Sequence, residues 1–306
     1  MKGQIISVFG GSGFLGSYIV RGLLAAGAYV KIYSDNPNNA LPLKVSASLG
    51  QLKAYKINIC DHNAVKEAIT GSTTVINLIG IKCGSAKQLF VTHVLFPKLL
   101  AKYSKQLNIS KLIHFSAIGV DKIYESTYAH SKYEGDQCVR REFSKSIIIR
   151  PGLVFGQNDH FINRLYFLLP RFPIFPMLDK MNVIKPMYAG DVAKVLMLIL
   201  KNYEKYQGKT LELSGQKSYS MKSIISMINN TLRKNIKFIS LPTHVFRIYV
   251  LLSRCFPEPI MNKENTHLLR YNGRNIKNHL KQMNITSTDL ESFISSYEKK
   301  IKNHDK

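Results

Sequence analysis

Gln4-Ile5-Ile6-Ser7-Val8-Phe9 runs directly into Gly10-Gly11-Ser12-Gly13-Phe14-Leu15-Gly16, and the apolar residues from Phe14 to Ala26 then recur with a helical period. A short apolar run, a glycine cluster and an amphipathic segment read as strand, tight turn and helix start. Each glycine has a separate physical task. Gly10 permits the turn, Gly13 leaves bare backbone where a diphosphate could approach, and Gly16 lets helix and strand pack closely. The unpaired N–H groups at the helix start favour an anion there. Gly10, Ser12, Gly13, Phe14, Leu15 and Gly16 are therefore candidate contacts for NAD or NADP, against the plainer alternative of a tight turn with no ligand.

Outward from this stretch, β-branched runs alternate with helix-length segments. Strands are predicted at Ile5–Phe9, Tyr29–Tyr33, Ala54–Ile59, Thr74–Ile79, Lys111–Phe115 and Ser146–Ile149. Helices fit Phe14–Ala26, Asn63–Thr70, Ala86–Leu107 and Tyr128–Phe143. Strands apolar on both faces, separated by helices, imply a parallel sheet covered on both sides. The fold class expected is α/β, a Rossmann doubly wound sheet over residues 1–150. A smaller, mainly helical lobe follows at 151–306, partly returning to the sheet. Its helices are predicted at Phe161–Leu169, Asp191–Leu200, Met221–Leu232, His244–Cys255, Lys263–Leu269 and Ser287–Ile301, with strands near Thr210–Leu213 and Lys237–Ile239. Asp191 reads as the cap of its helix. His244–Cys255 is amphipathic, with Arg247 and Arg254 beside an apolar face; core packing and docking on a membrane or partner both fit.

The chain has 306 residues and a formal net charge of +24. Residues 1–150 carry 19 Lys/Arg against 8 Asp/Glu, and residues 151–306 carry 24 against 11, so the excess is spread evenly. Acidic proteins and an anionic membrane surface are natural partners for such a charge. No nucleic-acid motif is present, and no nucleic-acid partner is expected. Cys60, Cys83, Cys138 and Cys255 form no CxxC pair, so neither a metal site nor a disulfide scaffold is expected. No signal or transit segment is expected at the start, and runs such as Val195–Leu200 are too short to span a bilayer. These readings place the protein in the cytoplasm, with peripheral attachment to the inner face of the membrane left open.

The GxxGxxG spacing resembles the extended and atypical branches of the short-chain dehydrogenase/reductase superfamily. Asp35 follows the second strand where a residue reads the ribose; a carboxylate there accepts from both hydroxyls and repels a 2′-phosphate, favouring NAD. Capping a turn is its alternative role. The resemblance implies that Asp61 contacts the adenine and that the Asn77-Leu78-Ile79-Gly80 turn lies beside the cofactor; Asp61 could equally cap the helix from Asn63.

Tyr128-Ala129-His130-Ser131-Lys132 is a YxxxK pair, one turn apart on a helix. A cation near a phenol of pKa ~10 lowers that pKa. Lys132 could also donate to the nicotinamide ribose, so Tyr128 and Lys132 could move a proton alongside hydride transfer. An incidental pair on a solvated helix is the alternative. The superfamily's catalytic hydroxyl corresponds most nearly to Ser116, but extended members place it one residue later, at Ala117 here. A one-residue shift on a strand reverses side-chain direction.

Further stretches narrow the resemblance: Val75-Ile76-Asn77-Leu78-Ile79-Gly80, Lys111-Leu112-Ile113-His114-Phe115-Ser116, Ile149-Arg150-Pro151-Gly152-Leu153-Val154-Phe155-Gly156, Asp159-His160-Phe161-Ile162-Asn163-Arg164 and Pro186-Met187-Tyr188-Ala189-Gly190-Asp191. Together they resemble the atypical members that serve as the nucleotide-binding accessory subunit of respiratory complex I, and their bacterial relatives. The resemblance implies a tightly held nicotinamide cofactor, Pro151 passing the nicotinamide, and a supporting role against the peripheral arm or in quinone metabolism. Many such relatives carry an arginine where this chain has Asp35. An active reductase, dehydrogenase or epimerase acting on an unknown small molecule is the competing expectation, and a cofactor-sensing regulator a third. Arg150 reads either as a cofactor-side residue or as a surface ion pair.

Overall fold

β1 (Ile5–Phe9) is buried from Ile6 to Phe9 because it lies between two other strands, with helices on both faces of the sheet. The computed structural model describes residues 1–171, 174–178, 183–232, 237–241 and 278–296. From β1 the chain passes through α1 (Phe14–Ala25), β2 (Tyr29–Ser34), β3 (Leu52–Lys56), α2 (His62–Ile69) and β4 (Thr74–Asn77). There follow α3 (Ala86–Phe90), a π-helical turn (Val91–Leu95), α4 (Phe96–Gln106), β5 (Lys111–Phe115), α5 (Thr127–Glu142) and β6 (Ile147–Pro151). The rest comprises β7 (Val154–Phe155), α6 (Ile162–Leu168), β8 (Ile174–Leu178), β9 (Met187–Tyr188), α7 (Ala189–Lys201), α8 (Tyr203–Tyr206), β10 (Thr210–Leu213), α9 (Met221–Leu232) and β11 (Lys237–Leu241). Residues 290–296 are also helical. The expected helices His244–Cys255 and Lys263–Leu269 lie outside the described residues.

Among the described residues, seven strands form one parallel sheet in the order β10-β6-β5-β4-β1-β2-β3. The chain adds strands on one side of β1 as far as β3, then crosses to the other side at β4. Such a reversal opens a crevice at the carboxyl ends of the two central strands, where doubly wound sheets place their ligands. Helix α1 buries Gly16, Ile19, Val20, Leu23 and Leu24, a stripe of helical period, and packs against α7 on one face of the sheet. On the other face Val65, Phe96, Leu100 and Val139 join α2, α4 and α5 in a second cluster. A third cluster joins Phe155, Tyr166, Ile224 and Leu290 beyond the sheet.

Several boundaries differ from expectation for identifiable reasons. The third strand runs Leu52–Lys56 rather than Ala54–Ile59, because its register is set by β2, with Val30 opposite Leu52 and Ser34 opposite Lys56. Ile57 and Ile59 pack against the second cluster beyond the strand. The fourth strand stops at Asn77, whose side chain takes the Ile79 N–H. The single helix expected over Ala86–Leu107 is interrupted by the π turn. Pro97 has no N–H for the carbonyl four residues back, that of His93, and its ring would strike that carbonyl. Widening the turn avoids the clash. The freed carbonyl meets α5 at Gly135, where any Cβ would collide with it. Asp191 does not cap its helix. α7 begins at Ala189 behind the extended Tyr188, and the buried Asp191 carboxylate accepts from the Thr288 N–H at 2.6 Å and pairs with Lys194 at 2.9 Å.

Gly16 and Gly10 hold the glycine turn together. A Cβ on Gly16 would run into the Gly10 carbonyl oxygen and lie 2.8 Å from Gly11 Cα. Gly10 has φ +77°, and a Cβ there would lie 3.2 Å from Ile79 N in the loop after β4. Gly22, on the same helix as Gly16, has ordinary room for a methyl beside Met197 at 3.6 Å. Chemical denaturation should therefore separate the two: Gly16→Ala loses roughly 3 kcal/mol, whereas Gly22→Ala gains about 0.5–1 kcal/mol. A neutral Gly16→Ala would contradict this packing.

Candidate dinucleotide and Tyr/Lys site

Gly13 caps α1 in an extended conformation and has no side chain to accept from the first-turn N–H groups. Among the described residues, a Cβ on it would meet, beyond its own chain neighbours and helix backbone, only the Gly10 oxygen, at 3.3 Å. The fold thus demands glycine at 10 and 16 but asks little at 13. The space a Cβ would fill at Gly13 lies in front of unpaired N–H groups, and this fits a diphosphate resting on backbone. Next to it is a cleft of ≈ 340 Å³, with Ser12, Phe14 and Tyr18 on one side and Asn39, Asn158 and His160 among the residues opposite. Arg21 adds a positive charge to this cleft. The Tyr18 hydroxyl accepts the Gln157 N–H at 2.7 Å, tying the loop after β7 to α1. Leu15 turns its side chain into the sheet core, leaving its backbone N–H at the helix start.

The expected cofactor-side carboxylates occupy the turns that follow their strands. Asp35 is exposed just after β2, and one of its oxygens accepts the Asn36 N–H at 2.8 Å. Asp61 caps α2, accepting from Asn63 at 3.0 Å and Ala64 at 3.1 Å. Capping leaves Asp61 a second oxygen, so this geometry allows the adenine contact as well.

Across the crevice, α5 presents Tyr128 and Lys132 one turn apart. Lys132 is buried; its Nζ donates to the Phe115 carbonyl at 3.3 Å and lies 3.0 Å from where a Cβ on Gly80 would be. Gly80 therefore makes room for the lysine at the end of β4. Burial lowers the Lys132 pKa to about 8, with Asp136 opposing that shift. Tyr128 is half-buried and stacks edge-on against His93 at 5.3 Å. Burial, and then the Asp136 carboxylate, push its phenol up to about 12. The protein alone thus makes Tyr128 harder to ionise than free tyrosine.

His93 is fully buried between these parts. The Ser131 hydroxyl donates to the Tyr128 carbonyl at 2.8 Å, so it accepts from His93 Nδ1 at 2.9 Å. His93 Nε2 then accepts the Ile81 N–H at 3.1 Å, which fixes the tautomer. One imidazole thus joins the loop after β4 to the helix carrying Tyr128 and Lys132. Burial first, then Lys132 and His114, lower its pKa to about 3.

A second buried chain runs beneath the strand ends. Asn77 donates to His114 Nδ1 at 3.1 Å, leaving the Nε2–H 3.4 Å from Asp136. Asp136 binds Arg150 at 2.9 Å, and Arg150 reaches Asp121 at 3.1 Å. Burial opposes ionisation of Asp136, yet hydrogen bonding from His114, the Arg150 charge and the Ser116 hydroxyl hold its carboxylate below the usual range. Arg150 is thus an internal ion pair and not a surface one. Ser116 faces this network, while Ala117 packs with Val120, Ile123 and Ala129. The Asn77 side chain is likewise spent inside, and the Pro151 carbonyl accepts from Ile118 at 3.1 Å. Sequence reading missed His93, His114, Asp136, Tyr18 and Arg21. Pro97, four residues after His93, was the available signal for the first. Among the described residues no cluster of His, Cys, Asp or Glu is placed to hold a metal, and no helix is long and apolar enough to cross a membrane.

The family described as NAD dependent epimerase/dehydratase matches residues 6–213. The chain is 30% identical over 260 residues to mouse mitochondrial "NADH dehydrogenase [ubiquinone] 1 alpha subcomplex subunit 9", covering 84% of this chain and 68% of that protein. It is 27% identical over 266 residues to the Neurospora crassa mitochondrial NADH-ubiquinone oxidoreductase 40 kDa subunit, covering 86% and 70%. Among solved structures, Citrobacter triphenylmethane reductase superposes with a TM-score of 0.77 at 13% identity over 96% of this chain and 99% of that one. An Escherichia coli NADPH-dependent quinone oxidoreductase, solved with NADPH, gives 0.76 at 15% over 95% and 99%. At such identities the structural likeness speaks for the fold.

Two measurements test this geometry. Gly13→Val should weaken nicotinamide dinucleotide binding by at least about 100-fold in calorimetry, because it covers N–H groups that favour an anion, while the melting temperature stays close to wild type. His93 takes up a proton in the unfolded chain below its ordinary pKa of 6.5 but in the fold only near 3. The unfolded state therefore binds more protons between these values, so stability falls as pH drops from 6.5 towards 3. Replacing His93 with Gln should flatten that acid limb; an unchanged slope would contradict the buried neutral imidazole.

Proposed function

This chain belongs to the NAD dependent epimerase/dehydratase family, and from that premise we propose that it holds a nicotinamide dinucleotide as a supporting subunit of a respiratory NADH:ubiquinone oxidoreductase, or in quinone metabolism. The observation that carries this reading is the 30% identity, over 84% of the chain, to a relative named as a subunit of that enzyme. The site's chemistry supports it. Ala117 occupies the position where the extended members place a hydroxyl, so the third member of the Tyr/Lys constellation is missing there.

In this reading residues 1–150 carry the dinucleotide and residues 151–306 form the lobe that meets a partner or substrate. The backbone from Gly10 to Gly16, with Ser12, holds the diphosphate. Asp35 takes the adenosine ribose and favours NAD over NADP, and Asp61 lies at the adenine end. Gly80, Lys132 and Pro151 flank the nicotinamide half, with Lys132 donating to its ribose. Asn77 acts through the turn it fixes. A bound nicotinamide dinucleotide supplies hydride chemistry. The protein's own part is to bind it, orient it and keep Lys132 poised beside it. The location proposed is the cytoplasm, peripheral on the inner face of the membrane.

A catalytic reading keeps one observation in its favour, the Tyr128/Lys132 pair on one face of α5. The two readings separate experimentally. Affinity-tagged full chain from detergent-solubilised membranes should bring down NADH dehydrogenase activity in a fixed ratio; recovery of the free chain alone would contradict the supporting role. Turnover of a panel of carbonyl compounds, falling about 10²–10⁴-fold in Tyr128→Phe, would establish an enzyme instead.

A further inference from the structure

Along the chain the positive charge is even, but in the fold it is not. In a parallel sheet every connection leading into a strand lies at one end, and every connection leading out lies at the other. The crevice is at the outgoing, carboxyl end. For the seven strands of the main sheet, the outgoing stretches run from the last two strand residues through the first turn of the next helix. They carry eight Lys/Arg against six Asp/Glu. The incoming stretches run from the last turn of the preceding helix through the first two strand residues. They carry eleven against three. Nine of those eleven are exposed, Lys2, Lys53, Lys105, Lys145 and Lys209 among them, and none of the nine is in an ion pair among the described residues. Helix C-termini point this way and favour cations. Lys2, Lys145 and Lys209, however, lie in loops, and Lys53 lies on a strand.

The same end carries uncovered apolar side chains. Between β2 and β3 the chain passes through a 3-10 segment (Pro37–Ser46) and a tight turn at residues 48–51. The Gln51 N–H donates to the Ser48 carbonyl at 3.0 Å, and Gly50 supplies a φ of +75°. The Gln51 side chain accepts the Ser48 N–H at 2.9 Å and donates to the Leu24 and Ala28 carbonyls at 2.8 and 3.0 Å. The turn is thus fastened to the end of α1, and at its tip stands Leu49, fully exposed. Glycine, proline or a polar residue usually fills such a tip. Val45, four residues earlier, is 92% exposed, and Tyr29, which opens β2, is 49% exposed.

We propose that this amino end of the sheet rests on an anionic lipid bilayer, with its lysines against the headgroups and Leu49, Val45 and Tyr29 in the interface. Seven strands about 4.8 Å apart spread the charge over roughly 30 Å, and an anionic leaflet offers charge of the opposite sign over any such width. A protein interface packs its apolar side chains into a contiguous patch. Leu49 and Val45 stand almost clear of the protein instead, and lipid is a medium that closes around such tips. The proposal deepens the peripheral location given above and rests on it. The dinucleotide site, at the other end of the strands, faces away from the lipid and stays open.

The test mixes the full chain with phosphatidylcholine vesicles, with or without phosphatidylglycerol as about a third of the lipid, and separates bound protein by flotation. The partition coefficient should be at least about tenfold higher on the anionic vesicles and should fall as salt is raised. Leu49→Asp should lower it about tenfold. Lys2→Glu/Lys145→Glu should lower it by at least about tenfold, whereas Lys87→Glu/Lys222→Glu, the same charge change at the crevice end, should lower it less than about twofold. All three variants should keep the melting temperature and dinucleotide affinity of wild type. Equal losses in the two double variants would make net charge the cause and overturn the proposal. So would a Leu49→Asp that binds like wild type, or binding to neither kind of vesicle. Binding that appears only with reconstituted membrane proteins would assign this end to an acidic protein and overturn it as well. Copurification with NADH dehydrogenase activity is read separately, so failure of this surface is distinct from failure of the supporting role.

Discussion

The start of α1 is pressed against the turn that precedes it, with no space for a side chain at Gly16 and little at Gly10. That contact fixes the direction of the first helix relative to β1 and β4. The helix N-terminus is thereby aimed across the crevice where the strand order reverses. Polar N–H groups left unpaired at a helix start need a partner, and here no side-chain cap supplies one. The same packing that stabilises the fold thus prepares an anion cradle at Gly13.

The opposite wall of the crevice depends on one proline. Pro97 forces the π turn, and the π turn releases the His93 carbonyl towards Gly135. It also sets the His93 ring between Ile81 and Ser131. The loop after β4 and the helix bearing Lys132 are thereby held as one unit. Beneath them, Asp136 and Arg150 form a buried pair, with the His114 Nε2 3.4 Å from Asp136 and Asp121 3.1 Å from Arg150. Leaving one charge of such a pair buried alone costs far more than the pair itself contributes. The arrangement therefore favours a rigid platform beside the crevice.

The sheet was legible in the sequence because parallel strands buried on both faces read as continuous apolar runs, and β1, β5 and β10 fell at their expected ends. Edges and interruptions were harder. β3 begins where β2 allows, a fact of register that its own residues do not encode. The glycine loop was readable because strand, turn and helix are adjacent in the chain. The His93 clamp and the Asp136 network were not, since each joins residues from three or more separate elements. Asp191 shows the same limit: its partner, Thr288, is 97 residues away.

The central claim is that the uncapped start of α1 takes up a nicotinamide dinucleotide. Native mass spectrometry of the full-length protein, purified and then titrated with NAD, NADH, NADP and NADPH in turn, tests it most directly. The account predicts one added dinucleotide per chain, with the non-phosphorylated pair retained at the lower concentrations. A protein that keeps its unliganded mass with all four would contradict it.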